Sequence, residues 1–441
     1  METVTALLGT INGKLWGWPM IIILVGTHIF LTIRLKGIQR YIWYGIRLSL
    51  QRKKEGSGDI SQFGALTTAL AATVGTGNIA GVATAITAGG PGAVLWMWLT
   101  GVFGIATKYG EALLSVKYRI VTSDGSFAGG PMYVLERGLK SKPLGIVFAI
   151  FTALAAFGIG NTVQSHEVAM LVHETFNIEP WITGVVLAVM TALVILGGVG
   201  SIARTCERLV PFMAFFYVAG CVMLMITFAA DIFPAIKLII SSAFSGQAAA
   251  GGFLGAGVRE SVRYGVARGL FSNESGMGSA PIVAAAAQTK NPVRQALVSA
   301  TGTFWDTVVI CALTGIVIVA SGEWVSGASG VALSKAAFSH LSKIGPYYLT
   351  IGLFVFVFST ILGWSYYGEK AVEYLLGKRS IKPYRYLWIA GVMIGAVVND
   401  AVWSFADISN ALMALPNILA LLLLSGVIAR ETREYFKGTE R

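Results

Sequence analysis

Charge is what this chain has least of. Only 12% of its 441 residues are Asp, Glu, Lys or Arg, 55% are hydrophobic, and the mean hydropathy is +0.70. That balance excludes an ordinary soluble domain and points to a polytopic membrane protein. No charged residue occurs between Asp59 and Lys108, which is room for two spans of roughly 20 residues each. Length alone suggests about three soluble domains; the apolar pattern replaces them with one membrane domain. Cysteine is scarce too. Cys206, Cys221 and Cys311 are far apart and lie in or beside apolar runs, which excludes a disulfide framework and metal-ligand spacing. Acidic residues number 22 against 33 basic ones, a net charge of +11, but the basic residues segregate by loop and do not suggest nucleic acid as a partner. The N-terminal stretch METVTALLGTINGKLWGW has neither a basic n-region nor a small-residue cleavage site, so no signal peptide is expected.

Catalytic signatures are missing as well. There is no GxSxG nucleophile elbow and no GxxxxGK[ST] phosphate loop. His166-Glu167 and His173-Glu174 invite a zinc reading, but Met170 stands where HExxH needs its second histidine. The run Gly75 to Ala80 fits GxGxxA formally, without the soluble strand and the later acidic residue that a dinucleotide site requires. An enzyme is therefore not expected.

What the sequence has is apolar helix. Windows at 16–36, 62–88, 92–118, 145–170, 181–199, 208–230, 258–288, 296–320, 346–367, 384–399 and 410–429 predict eleven transmembrane helices in an all-α fold. Pro91, Pro143, Pro180, Pro211, Pro292, Pro346 and Pro383 fall near span openings, where a missing N–H costs least. Basic residues collect after the first span (Arg34, Lys36, Arg40, Arg47, Arg52, Lys53, Lys54) and in alternate loops, whereas the turns His173 to Trp181 and Asn399 to Asn410 have none. The positive-inside rule then puts the N-terminus outside and the C-terminus in the cytoplasm of a cell-membrane protein. Arg259, Arg263 and Arg268 break the rule, which suggests local function or pairing. Beyond the first span, ten remain. They divide into two groups of five that enter from opposite faces, an inverted repeat of the leucine-transporter kind. The single domain thus comprises an extra helix and basic linker (1–61), a first repeat (62–230), an extracellular connection (231–257), a second repeat (258–429) and a cytoplasmic tail (430–441).

Each repeat opens on a span interrupted by glycine, at Val74 to Asn78 and at Ser272 to Gly278. Unwound chain at membrane depth is tolerated only where it is buried in protein or lines a cavity. Broken helices in corresponding positions are the best sequence pointer to a transporter's binding site. Free N–H groups there suit a carboxylate and free C=O groups a cation; the alternative is small-residue helix packing. Glu274 at membrane depth would either form a structural ion pair with Arg263 or Arg268, attract an ammonium group, or take up a proton. Asp306, an acid in the apolar run Thr303 to Thr307, would coordinate a cation or hydrogen-bond to a neighbouring helix. Trp96, Trp98 and Tyr109 read as interfacial anchors, and Trp364 shares a helix face with Ser359 and Thr360.

The segment Gly89 to Gly104 resembles the signature of the alanine or glycine:cation symporters, also called sodium:alanine symporters, with Leu95 where that family has phenylalanine. Gly75 to Gly81, Gly269 to Pro281 and Phe358 to Glu369 extend the likeness over nearly the whole chain. The resemblance implies sodium-coupled import of alanine or glycine by alternating access, with sodium co-transported, no cofactor, the lipid bilayer as surroundings and a functional monomer. It also implies roles for residues. A first sodium site would use Thr73, Asn78, Ser272 and Asp306, and a second Ala71, Val74, Phe356, Ser359 and Thr360. The substrate would be held by Thr73, Thr76, Gly77, Gln164, Phe271, Ser272 and Gly276, with Met277 and Trp364 closing its side-chain pocket. Glu274 and Arg268 would form a charge relay or ion pair. Alternatives are proton coupling in the same fold, a channel or an intramembrane hydrolase.

Overall fold

A computed structural model describes residues 10–51, 56–245, 257–398 and 401–439. The chain is helical almost throughout, as it must be where hydrocarbon offers the backbone no hydrogen bonds. Helix α1 (Trp18–Arg34) turns by 69° into the segment Ile38–Ser49, whose α-helical part is α2 (Ile42–Ser49). Helices α3 (Gln62–Thr73) and α4 (Gly77–Gly89) meet at 53° across the first break. Next come α5 (Ala93–Lys117) and an antiparallel hairpin of β1 (Ile120–Val121) and β2 (Phe127–Ala128). Then follow α6 (Lys142–Phe176), α7 (Pro180–Ile195), α8 (Gly198–Thr227) and α9 (Ala229–Phe244). Helix α10 (Val258–Asn273) ends at the second break, beyond which the short α11 (Pro281–Ala284) resumes. The remainder is α12 (Pro292–Ala320), α13 (Gly330–Phe338), α14 (Gly345–Leu376), α15 (Ile381–Gly395), α16 (Ala401–Leu423) and α17 (Ser425–Thr439).

Among the described residues, five helices are long and apolar enough to cross a membrane, or up to seven if each bent pair is one span. Helix α5 is buried without interruption from Ile105 to Val116 although it carries Lys108 and Glu111. A helix enclosed by protein need not be apolar. It packs against α1, α10 and α12, while α14 packs against α3, α6 and α8. Small residues permit the approach: a Cβ at Gly101 would lie 2.7 Å from Thr307, and one at Gly363 2.8 Å from Ala72.

Several expectations are corrected. Pro211 lies inside α8, which begins at Gly198 and not near 208; membrane helices absorb an internal proline because neighbours re-satisfy the freed carbonyl. Residues 401–410, read as part of a turn, are the first turns of α16. Helices α9, α13 and α17 occupy stretches read as connection, loop and tail. Tyr109 is no interfacial anchor. It is fully buried, and its hydroxyl meets the Thr432 hydroxyl of α17 at 2.7 Å. Arg52, Lys53, Lys54, Asn399, Arg441 and residues 246–256 of the expected connection lie outside the described residues.

Candidate functional site

Both glycine-rich stretches leave the helical path. At the first, Val74 is extended (φ −77°, ψ 95°) and caps α3. At the second, Glu274, Gly276 and Gly278 take φ of 55°, 90° and 87°, a region that glycine enters at no steric cost and glutamate only under constraint.

The breaks are joined through Asp306. Its Oδ1 accepts from Asn78 Nδ2 at 2.7 Å, and its Oδ2 from the hydroxyls of Ser272 at 3.0 Å and Thr307 at 2.6 Å. Asn78 Nδ2 also reaches the Asp306 carbonyl at 3.2 Å, while Asn78 Oδ1 accepts the Gly75 N–H at 2.9 Å. Asn78 and Asp306 are completely buried, and Ser272 nearly so. The carboxylate's hydrogen-bond partners are all neutral, and no cationic side chain among the described residues forms a salt bridge with it. A buried carboxylate in that condition is a strong ligand for a cation.

A second oxygen cluster lies where α14 crosses the first break. Ser359 Oγ donates to the carbonyls of Ala71 at 3.3 Å and Phe356 at 2.8 Å; Thr360 Oγ1 donates to those of Val74 at 3.3 Å and Phe356 at 3.0 Å. Such a set of neutral, hard oxygens suits a hard cation. Gly75 is required here, since a Cβ would stand 2.6 Å from Thr360 Oγ1 and 3.2 Å from Gln164 Oε1.

Beside the first break, Gln164 Nε2 donates to Thr76 Oγ1 at 3.1 Å and Gln164 Oε1 accepts the Thr76 N–H at 3.4 Å. Gly77 packs on Phe271, a Cβ there being 3.4 Å from the ring. Trp364 is fully buried and donates from Nε1 to Glu274 Oε1 at 3.1 Å. Asn78 and Asp306 lie within wide π turns, Gly77–Gly81 and Phe304–Cys311, and Gln164 stands just beyond a third, Gly158–Thr162. Such turns gather at functional sites because they re-aim one side chain without ending the helix.

The model of the Sodium:alanine symporter family matches residues 1–441. The chain belongs to the sodium:alanine symporter family. Along 98% of its length it is 49% identical to the sodium/alanine symporter AgcS of Methanococcus maripaludis, covering 97% of that protein. It is 36% identical to the probable sodium/glutamine symporter GlnT of Bacillus subtilis, with 97% and 90% of the two chains covered. Among solved structures it resembles MhsT in complex with L-phenylalanine, at a TM-score of 0.60 and 14% identity over 87% of this chain and 93% of that one. The fold is thus that of the leucine-transporter group, and the protein is a transporter, not an enzyme.

Not every expected residue of this family member joins the cluster. The Thr73 hydroxyl turns back to the Ala69 carbonyl at 3.1 Å, and Thr73 lines a small cavity with Lys108, Asn273 and Ser299. Gly276 faces α1, where a Cβ would lie 2.8 Å from Leu24. Met277 is buried in the same segment. The expected pairing of Glu274 with Arg268 or Arg263 is not made. Residues six apart on a helix are rotated by about 240°, so Arg268 points elsewhere, to Asp407 at 3.7 Å and over the rings of Phe271 and Trp403. Arg263 meets Glu260 at 3.4 Å. Glu274 accepts from Ser279 as well as Trp364. Sequence reasoning passed over Glu111 and Asn417, which hold the second break. Glu111 carried a signal, an acid within a predicted span; Asn417 carried none.

Proposed function

We propose that the protein imports small neutral amino acids, alanine or glycine, with sodium, through alternating access of eleven spans built as an extra helix and two inverted five-helix repeats. The carrying observation is that Asp306 binds Asn78 of the first break and Ser272 of the second at once. A sodium ion at that carboxylate would tie both half-helix pairs together, and the oxygens of Ala71, Val74, Phe356, Ser359 and Thr360 would take another. The substrate carboxylate would meet the peptide N–H groups of Thr76 and Gly77 with Gln164, and its ammonium the carbonyls near Thr73, Phe271 and Ser272. Phe271, Met277 and Trp364 would line its side-chain pocket, with space for hydrogen or methyl. Because a ligand shifts an equilibrium only by its differential affinity for two states, sodium drives the cycle if it completes this site. The chain would work as a monomer in the cell membrane, N-terminus outside, and need no cofactor.

The test is uptake of radiolabelled alanine by proteoliposomes. An inward sodium gradient should drive accumulation, and potassium at the same pH should not. Accumulation driven by a pH gradient in sodium-free medium would assign the coupling to protons, and conduction without counterflow would mark a channel.

A further inference from the structure

The second break does not hold its shape alone. Three of its residues, Glu274, Gly276 and Gly278, take positive φ, and two side chains from distant parts of the chain grip the peptide groups of Gly276 and Gly278. Glu111 of α5 accepts the Gly278 N–H on Oε1 at 3.0 Å. Asn417 of α16 donates from Nδ2 to that same Oε1 at 2.7 Å and to the Gly276 carbonyl at 2.8 Å. Both residues are buried, at 2% and 3% exposure, and Pro416 precedes Asn417 inside the helix. Walls press from the remaining sides. A Cβ at Gly276 would lie 2.8 Å from Leu24 and 3.7 Å from His28 of α1, and one at Gly278 2.7 Å from Pro131 and 2.8 Å from Phe148. Within this frame Glu274 is turned toward Trp364, and Ser272 toward Asp306.

We propose that Glu111 and Asn417 are positioning residues of the ligand site, a clamp that keeps residues 274–278 unwound so that Ser272, Glu274 and Trp364 face the substrate, with α1 as its back wall. Backbone groups taken from a helix into a dry interior need substitute partners; here one carboxylate oxygen and one amide supply them for both a donor and an acceptor. Helix α1 stands outside the two expected repeats, and bracing this segment gives it a part in binding. The proposal rests on the alanine symport reading above.

The clamp uses Oε1 of Glu111, whereas Oε2 has no hydrogen-bond partner among the described residues. Glu111→Gln can therefore retain both bonds through its amide oxygen, while Glu111→Ala and Asn417→Ala cannot. Purified full-length variants should be compared by the rise in Tm on adding alanine with sodium, and by alanine KM in proteoliposomes. Loss of one buried hydrogen-bond partner corresponds to about tenfold. Expected is a KM raised about tenfold or more, and a diminished alanine-induced rise, in Asn417→Ala and Glu111→Ala, with Glu111→Gln within about threefold of wild type. A general loss of stability would lower every Tm but leave the ligand-induced rise intact, and that outcome overturns the proposal. So does a Glu111→Gln as impaired as Glu111→Ala beside a normal Asn417→Ala, which would assign the role to charge. Failure of the symport reading looks different, since the wild type itself would then show no alanine-induced rise.

Discussion

Asp306→Asn removes one formal charge and almost no volume from the point where the two breaks meet. The Asn78 amide occupies Oδ1, so the new side chain must keep its oxygen there and place its NH2 at the former Oδ2 position. The hydroxyls of Ser272 and Thr307, which donate to Oδ2, can rotate and accept instead. The network survives and the charge does not. Hydrogen bonds or ion contacts to a charged group are worth about 1.5–3 kcal/mol net against about 1 for a neutral one, and a unit charge at 4 Å from sodium contributes up to about 4 kcal/mol at an effective dielectric of 20. The sodium concentration giving half-maximal alanine-induced stabilisation should therefore rise at least about tenfold, which is 1.4 kcal/mol. At saturating sodium, alanine affinity should change by no more than about threefold. A sodium titration of the thermal shift reads both quantities from one preparation. If the sodium curve of Asp306→Asn overlays that of the wild type while the protein melts cooperatively, Asp306 is not an ion ligand and the coupling argument fails.

Thr360→Ala withdraws an oxygen from the second cluster without touching the first, so the sodium dependence of uptake should become less steep while alanine binding at high sodium persists; unchanged steepness would exclude that cluster. A Cβ at Gly160 would overlap that of Trp364. Gly160→Ala should accordingly cost about 1–3 kcal/mol of stability through overpacking, seen as a lower Tm, and abolish uptake, whereas Gly81→Ala, with nothing within 4 Å, should leave uptake nearly intact. Equal behaviour of these two variants would refute the packing reading of Trp364. Gln164→Leu, apolar, one heavy atom shorter and unable to bond Thr76, should raise alanine KM more than it lowers kcat; a pure kcat effect would remove Gln164 from substrate binding.

The breaks were legible because glycine, serine and asparagine interrupt apolar runs long enough to span a bilayer, and Asp306 because an acid in such a run has few roles. Its partners were not readable by composition. Asn78 and Asp306 are 228 positions apart, and no local period connects them; the family likeness supplied that link. Glu274 misled because Arg268 points to another face of α10, while Arg263 lies about three turns away beside Glu260. Glu111 was overlooked because α5 looks like an ordinary span with a charged end, although protein and not lipid surrounds it. Helices α9 and α17 escaped because they mix charge with apolar residues, a pattern a search for uniform hydropathy passes over.

The C-terminal helix α17 is more than an appendage. Through Thr432 it meets the phenol of Tyr109, and through Glu431 it binds Lys117 at 2.8 Å, both on the helix that bears Glu111. A shortened protein ending before Ser425 would strand that phenol in an apolar interior and loosen the rod from which the unwound segment hangs. Truncations that remove α17 thus act on the helix that bears Glu111.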